Sequence, residues 1–211
     1  MSAGIAYKCL TADGGATHAY NDFHWPLPEG RKYGAWVKPI EGGLIACENG
    51  YHVCEKDGLI HWLNARIFEC EWRGRFIWKD NNKVRVVREA RLVRELKTWN
   101  ERTQRLFAAD CAEHVLHLYE AKYPDDSRVR NCIEIARKVS RGELPVAELA
   151  AAGGAARVAA RDARDAAWAA ARDAAGDAAR VAARDAWDAA WDAEQHWQSS
   201  RLWQYLNGER T

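Results

Sequence analysis

The chain has 211 residues, long enough for one large domain or two small ones. Its 31 basic and 30 acidic residues leave no net field to draw it to nucleic acid or an acidic membrane. No run of 18 apolar residues exists to span a bilayer. Six irregularly spaced cysteines do not form the pattern of a disulfide scaffold, so the expectation is a cytoplasmic protein with reduced thiols. Two compositions are joined in it: of 38 alanines, 22 fall between Ala151 and Ala193.

Residues 1–98 carry the marks of a β-rich domain, with Pro26, Pro28, Gly30, Pro39, Gly42, Gly43, Gly50 and Gly58 punctuating short apolar runs. Strands are predicted at Ala6–Leu10, Leu44–Cys47, Tyr51–Cys54, Ile67–Trp72, Val84–Val87 and Ala90–Val93. Phe68, Cys70 and Trp72 alternate with Glu69 and Glu71, which predicts one apolar and one acidic face. Asp57 to Leu63 reads as a short helix capped by Asp57, with Leu59, Ile60 and Leu63 buried.

Residues 99–211 are expected to be helical. Asn100 can cap a helix whose apolar stripe is Phe107, Cys111, Val115, Leu118 and Tyr119. The tract Tyr123–Ser127 ends it and caps a second helix, with Val129, Cys132, Ile133, Ala136 and Val139 on one face. Gly142 stops that helix and Pro145 opens a third. A 23-residue repeat follows: AARVAARDA occupies 155–163 and again 178–186, and Gly153 aligns on Gly176. Twenty-three residues rotate a helix by about 140°, so the alanine faces of the two copies cannot align in one straight helix. A break at Gly176-Asp177 would let two antiparallel helices meet alanine to alanine; the alternative is one long solvated helix, which alanine's propensity favours. Trp187, Trp191, Leu202, Tyr205 and Leu206 then fall on one stripe, expected to cover the preceding helices. The fold class is therefore α+β, a small β-rich domain followed by a helical bundle ending in an alanine-rich hairpin.

Residues 105–206 resemble a phage and bacterial family named "putative immunity protein". Leu106–Glu113, Tyr123–Asp126, Ile133–Arg137, the Ala/Arg/Asp/Trp tract and Trp197–Leu206 carry the resemblance. The name implies neutralising a toxin and brings no catalytic residues. The first piece resembles an uncharacterised phage and actinobacterial domain through Tyr7–Leu10, Phe23–Pro26, Cys47–Cys54 and Arg91–Val93. Its order of elements is loosely similar to ADP-ribosyltransferases, with Lys8, His52 and Glu89 as nearest counterparts, although the serine-threonine-serine element is absent.

Three groups of residues invite chemistry. Cys47, His52 and Cys54, with Cys9 or Cys70, have the donor types of a zinc site but not the two-to-four-residue spacing, so no metal and no cofactor are expected. Tyr7, Lys8, His52, Arg85, Arg88, Glu89 and Arg91 would form an anion or nucleotide site. Against that, Glu69, Glu71, Glu89, Glu95 and Glu101 are at hand to pair with the arginines. His114 and His117 are expected to face solvent.

The outer face of the repeat, with Arg157, Arg161, Arg164, Asp165, Trp168, Arg172 and Asp173, is the expected surface for a protein partner. The functional expectation is a non-catalytic protein of a phage or bacterial conflict system that inhibits or neutralises a host defence factor or a toxin. The alternative is a nucleotide-binding or transferase-like enzyme on residues 1–98.

Overall fold

The computed structural model describes residues 3–16, 23–79, 83–154 and 177–211, with side chains of the last stretch described from residue 190 onward. The chain is α+β, an antiparallel sheet followed by helices. It divides into two compact units, one of Met1–Asn100 with Leu202–Glu209, the other of Glu101–Arg201 with Arg210–Thr211.

Four antiparallel strands, β1 (Ala3–Leu10), β2 (Tyr51–Cys54), β3 (Arg66–Lys79) and β4 (Val84–Glu95), close the first unit as a barrel in the order β1-β2-β4-β3. β1 lies along β3 from Ala3↔Arg73 to Leu10↔Arg66, and β3 runs into β4 with Lys79 opposite Val84. The predicted alternation holds: Phe68, Cys70 and Trp72 are buried among Ala6, Leu10, Val53, Val87, Ala90 and Leu92. Glu69 and Glu71 take the other face.

Two predicted strands, Val84–Val87 and Ala90–Val93, are one strand. Arg88 lies where the register shifts, with Gly74 and Arg75 of β3 between the pairs Arg73↔Glu89 and Phe76↔Val87, so the bulge is in β3 and β4 runs on unbroken. Leu44–Cys47 is not a strand. Asn49 donates its side-chain amide to the carbonyls of Glu41 and Gly43, and the Ile45 N–H bonds the Asn49 carbonyl, so this tract folds back on itself. The short helix is a 3-10 helix over Lys56–Trp62, preceded by Glu55 with no side-chain cap. Leu59 is buried, while Ile60 and Leu63 are half-buried.

A strap at 34–40 runs beside β4. The N–H groups of Gly34, Val37 and Ile40 bond the carbonyls of Leu92, Ala90 and Arg88, one bond every third residue. Gly34 is required there by space, since a Cβ would stand 2.2 Å from the Pro26 carbonyl oxygen.

The second unit contains α1 (Glu101–Lys122), α2 (Arg128–Ser140), a helix α3 described over 146–154, and most of α4 (Asp177–Leu206). In α2 the predicted face holds: Ile133, Ala136 and Val139 are buried. The helix ends as expected at Gly142, whose φ of 75° and the Glu143 N–H to Lys138 carbonyl bond form a Schellman turn. Asp126 supplies the starting cap in place of Ser127, accepting the Arg128 N–H at 3.0 Å.

The α1 stripe is displaced from the prediction. Thr103, Phe107, Ala109, Asp110 and Leu116 are buried, while Leu118 is 66% and Val115 37% exposed. The reason is Asp110: once arginines satisfy its carboxylate, a charged position turns inward and the apolar positions beside it turn outward. The C-terminal stripe also needs correction. Leu202, Tyr205 and Leu206 are buried but belong to the first unit rather than covering the preceding helices, and Trp191 is half-exposed. Thr98 fixes that end of α4 by donating its hydroxyl to the Leu206 carbonyl at 2.7 Å. The proposed alanine hairpin lies on 155–176 and on side chains outside the described residues.

Candidate functional site

Within the first unit, a half-open cavity of about 570 Å³ is bounded by β1, β2, the residues Ala16, Phe23 and Trp25, and the loop at 40–50. Alternation along β1 sends Ala6, Lys8 and Leu10 to one side, and Lys8 alone among them carries a charge. Its Nζ donates to the His52 carbonyl at 3.0 Å and lies 5.3 Å from the centre of the Trp25 ring. Removal from water lowers the Lys8 pKa below 10.5.

Phe23, Trp25 and Tyr51 form the aromatic wall, with ring centres 5.6 to 5.9 Å apart and mostly edge-on. The polar groups beside them are engaged. Tyr51 donates its hydroxyl to the Lys38 carbonyl, and Cys47 donates its backbone N–H to His52 Nε2 at 3.2 Å. That bond uses His52 Nε2 as an acceptor. Cys47 holds a φ of 67°, a left-handed backbone unusual for a residue with a Cβ.

The predicted anion constellation is only partly assembled. Lys8 and His52 meet at the cavity. Tyr7, the next residue along β1, packs edge-on against Trp203 at 4.9 Å. The arginines are spent elsewhere, because β3 and β4 present opposite charges across the ladder. Arg91 pairs with Glu71 and Arg94 with Glu69, each at 2.6 Å; Arg73 pairs with Glu89 at 2.7 Å. Arg66 grips Glu95 with two bonds of 2.7 and 2.9 Å. Arg85 pairs with Glu55 and lies over Trp72, Phe76 and Trp78, while Arg88 donates to the Gly42 carbonyl. Glu89, the counterpart of a transferase glutamate, does not line the cavity.

For metal binding, Cys9 and Cys54 are buried and Cys47 is exposed. Burial pushes the Cys9 and Cys70 thiols well above their ordinary range, which disfavours the thiolate a metal needs. Among the described residues no group of three metal-binding side chains could hold an ion.

In the second unit the main charged feature is Asp110. Its Oδ1 accepts from Arg137 at 3.0 Å, and its Oδ2 accepts from Arg201 at 3.1 Å and Arg210 at 2.7 Å. Arg137 also grips Glu113, which holds that carboxyl below its usual range. His114 and His117 face solvent as expected; His114 stacks on Trp197 at 3.7 Å and meets Glu194 at 2.7 Å. The partner-binding set Arg157, Arg161, Arg164, Asp165, Trp168, Arg172 and Asp173 lies outside the described residues.

Sequence reasoning missed Trp25 and Tyr51 as cavity walls and Asp110 as a hub. A lone Asp inside an apolar helix face was the available signal for the second. No local signal places Trp25 beside Lys8.

Among known proteins, the model of the family described as Imm-5 like putative immunity protein matches residues 94–191. No curated protein and no solved structure matches the chain. Among the described residues no helix is long and apolar enough to cross a membrane.

Proposed function

Proceeding from that family match, we infer that the chain is a non-catalytic protein that binds and neutralises a toxin or defence protein in a phage or bacterial conflict system. The observation that carries the reading is the extent of the match, which covers α1, α2 and the charged repeat. The ion-pair hub on Asp110 supports it physically, because α1, α2, α4 and Arg210 are drawn to one carboxylate.

Recognition is assigned to the outer face of the repeat, through Arg157, Arg161, Arg164, Asp165, Trp168, Arg172 and Asp173. An aromatic ringed by charges is a common hot-spot arrangement. The candidate host defence factor or toxin is captured with the tagged chain, purified, and titrated with the parent and with Arg161→Glu/Arg164→Glu. The expected result is stoichiometric loss of the partner's activity with the parent and none with the folded double variant. Suppression at substoichiometric chain would point to an enzyme instead and overturn the reading.

A further inference from the structure

The barrel cavity has no part in that reading, yet it has the make-up of a ligand site. Its volume of about 570 Å³ falls in the range of small-molecule pockets, which pair apolar walls with a few convergent polar groups. Here the walls are the rings of Phe23, Trp25 and Tyr51. An ammonium has three N–H donors; one of Lys8's reaches the His52 carbonyl and the Trp25 face lies nearby, which leaves donor capacity toward the cavity. The Tyr51 hydroxyl and His52 Nε2 have partners within the protein, so Lys8 is the donor that converges on the aromatic box. Lys79 and Glu48, the other charged lining residues, offset each other formally, so the cavity carries one net positive charge.

We propose that this cavity binds a small planar aromatic carboxylate, with the ring held by Phe23, Trp25 and Tyr51 and the carboxylate on the Lys8 ammonium. An apolar ligand would leave Lys8 unanswered. A dianion would meet only one surplus charge. Burial lowers the Lys8 pKa, so keeping an ammonium there works against folding, a common sign of a position kept for binding.

The test is calorimetric titration of the full chain with 1-naphthoate and with its neutral isostere naphthalene-1-carboxamide. Saturable binding of the carboxylate, at least tenfold tighter than the carboxamide, is expected. In Lys8→Met that preference should shrink to within twofold, with the melting temperature unchanged or raised. Cys47 lines the cavity and is exposed, so saturating naphthoate should slow its alkylation by iodoacetamide at least fivefold, leaving Cys111 and Cys132 unaffected. The proposal is overturned by equal affinity for acid and amide, by a preference that survives in folded Lys8→Met, or by tighter binding of adenosine monophosphate than of naphthoate. If Lys8→Met does not fold, the acid-to-amide ratio of the parent decides. None of these outcomes bears on partner capture by the helical unit, so the two readings fail separately.

Discussion

Removing the Asp110 carboxylate should loosen the helical unit more than removing any one arginine around it. The side chain is 11% exposed and accepts three charge-assisted hydrogen bonds. Such bonds contribute about 1.5–3 kcal/mol each when well shielded. The arginines, however, are 27%, 20% and 43% exposed, so water screens much of each interaction. Discounting each to about 1 kcal/mol gives about 3 kcal/mol for Asp110→Ala. For a unit of about 100 residues, that corresponds to a fall in melting temperature of roughly 12–24 °C. Arg210→Ala, which removes the most exposed arm, should lose only about 0.5 kcal/mol. Denaturant unfolding followed by far-UV circular dichroism reads both. A loss below about 1 kcal/mol in Asp110→Ala, or equal losses in the two variants, would refute the hub.

Glu95 is held below its ordinary 4.5 chiefly by its hydrogen bonds from Arg66, so its contribution is present at neutral pH and is lost as pH falls below 4.5 through the lowered value; Glu95→Gln should flatten that part of an acid-unfolding curve. Lys8 is lowered from 10.5 chiefly by burial, with the Cys54, Cys9 and Cys70 thiols opposing the shift and His52, Lys79 and Glu48 around the same cavity. The unfolded chain therefore holds this proton more tightly, and stability should rise between the lowered value and 10.5, a rise absent from Lys8→Met. Ala163→Leu should destabilise the protein by about 1–3 kcal/mol if the repeat's alanine faces pack together; a parental melting curve would favour one long solvated helix.

Features set by neighbours in sequence were legible, and those set by distant partners were not. The alternation at Phe68–Trp72, the buried face of α2 and the Gly142 stop each follow from local periodicity or backbone freedom. The pairing of Arg94, Arg91, Arg73 and Arg66 with Glu69, Glu71, Glu89 and Glu95 followed from charge supply on two strands. Asp110 turned inward because Arg201 and Arg210 arrive from 91 and 100 residues away. No window over α1 contains that information, so Val115 and Leu118 looked buried. Leu44–Cys47 had strand composition but no strand edge to join, and Asn49 closed it into a loop. At the cavity, Lys8 and His52 were singled out from sequence. Of the arginines grouped with them, Arg91 pairs with Glu71, Arg85 with Glu55, and Arg88 with the Gly42 carbonyl, partners that no local window displays.

Protein recognition is proposed for the Ala/Arg/Asp/Trp repeat. Its most direct test is affinity capture from host lysate with four forms of the full chain, quantified by mass spectrometry: parent, Arg161→Glu/Arg164→Glu, Trp168→Ala and Lys8→Met. One protein is expected to be enriched equally by the parent and Lys8→Met, and lost from the folded charge-reversal and Trp168 variants. Retention of that protein by both repeat variants, or its loss from Lys8→Met alone, would contradict the claim and move recognition to the barrel.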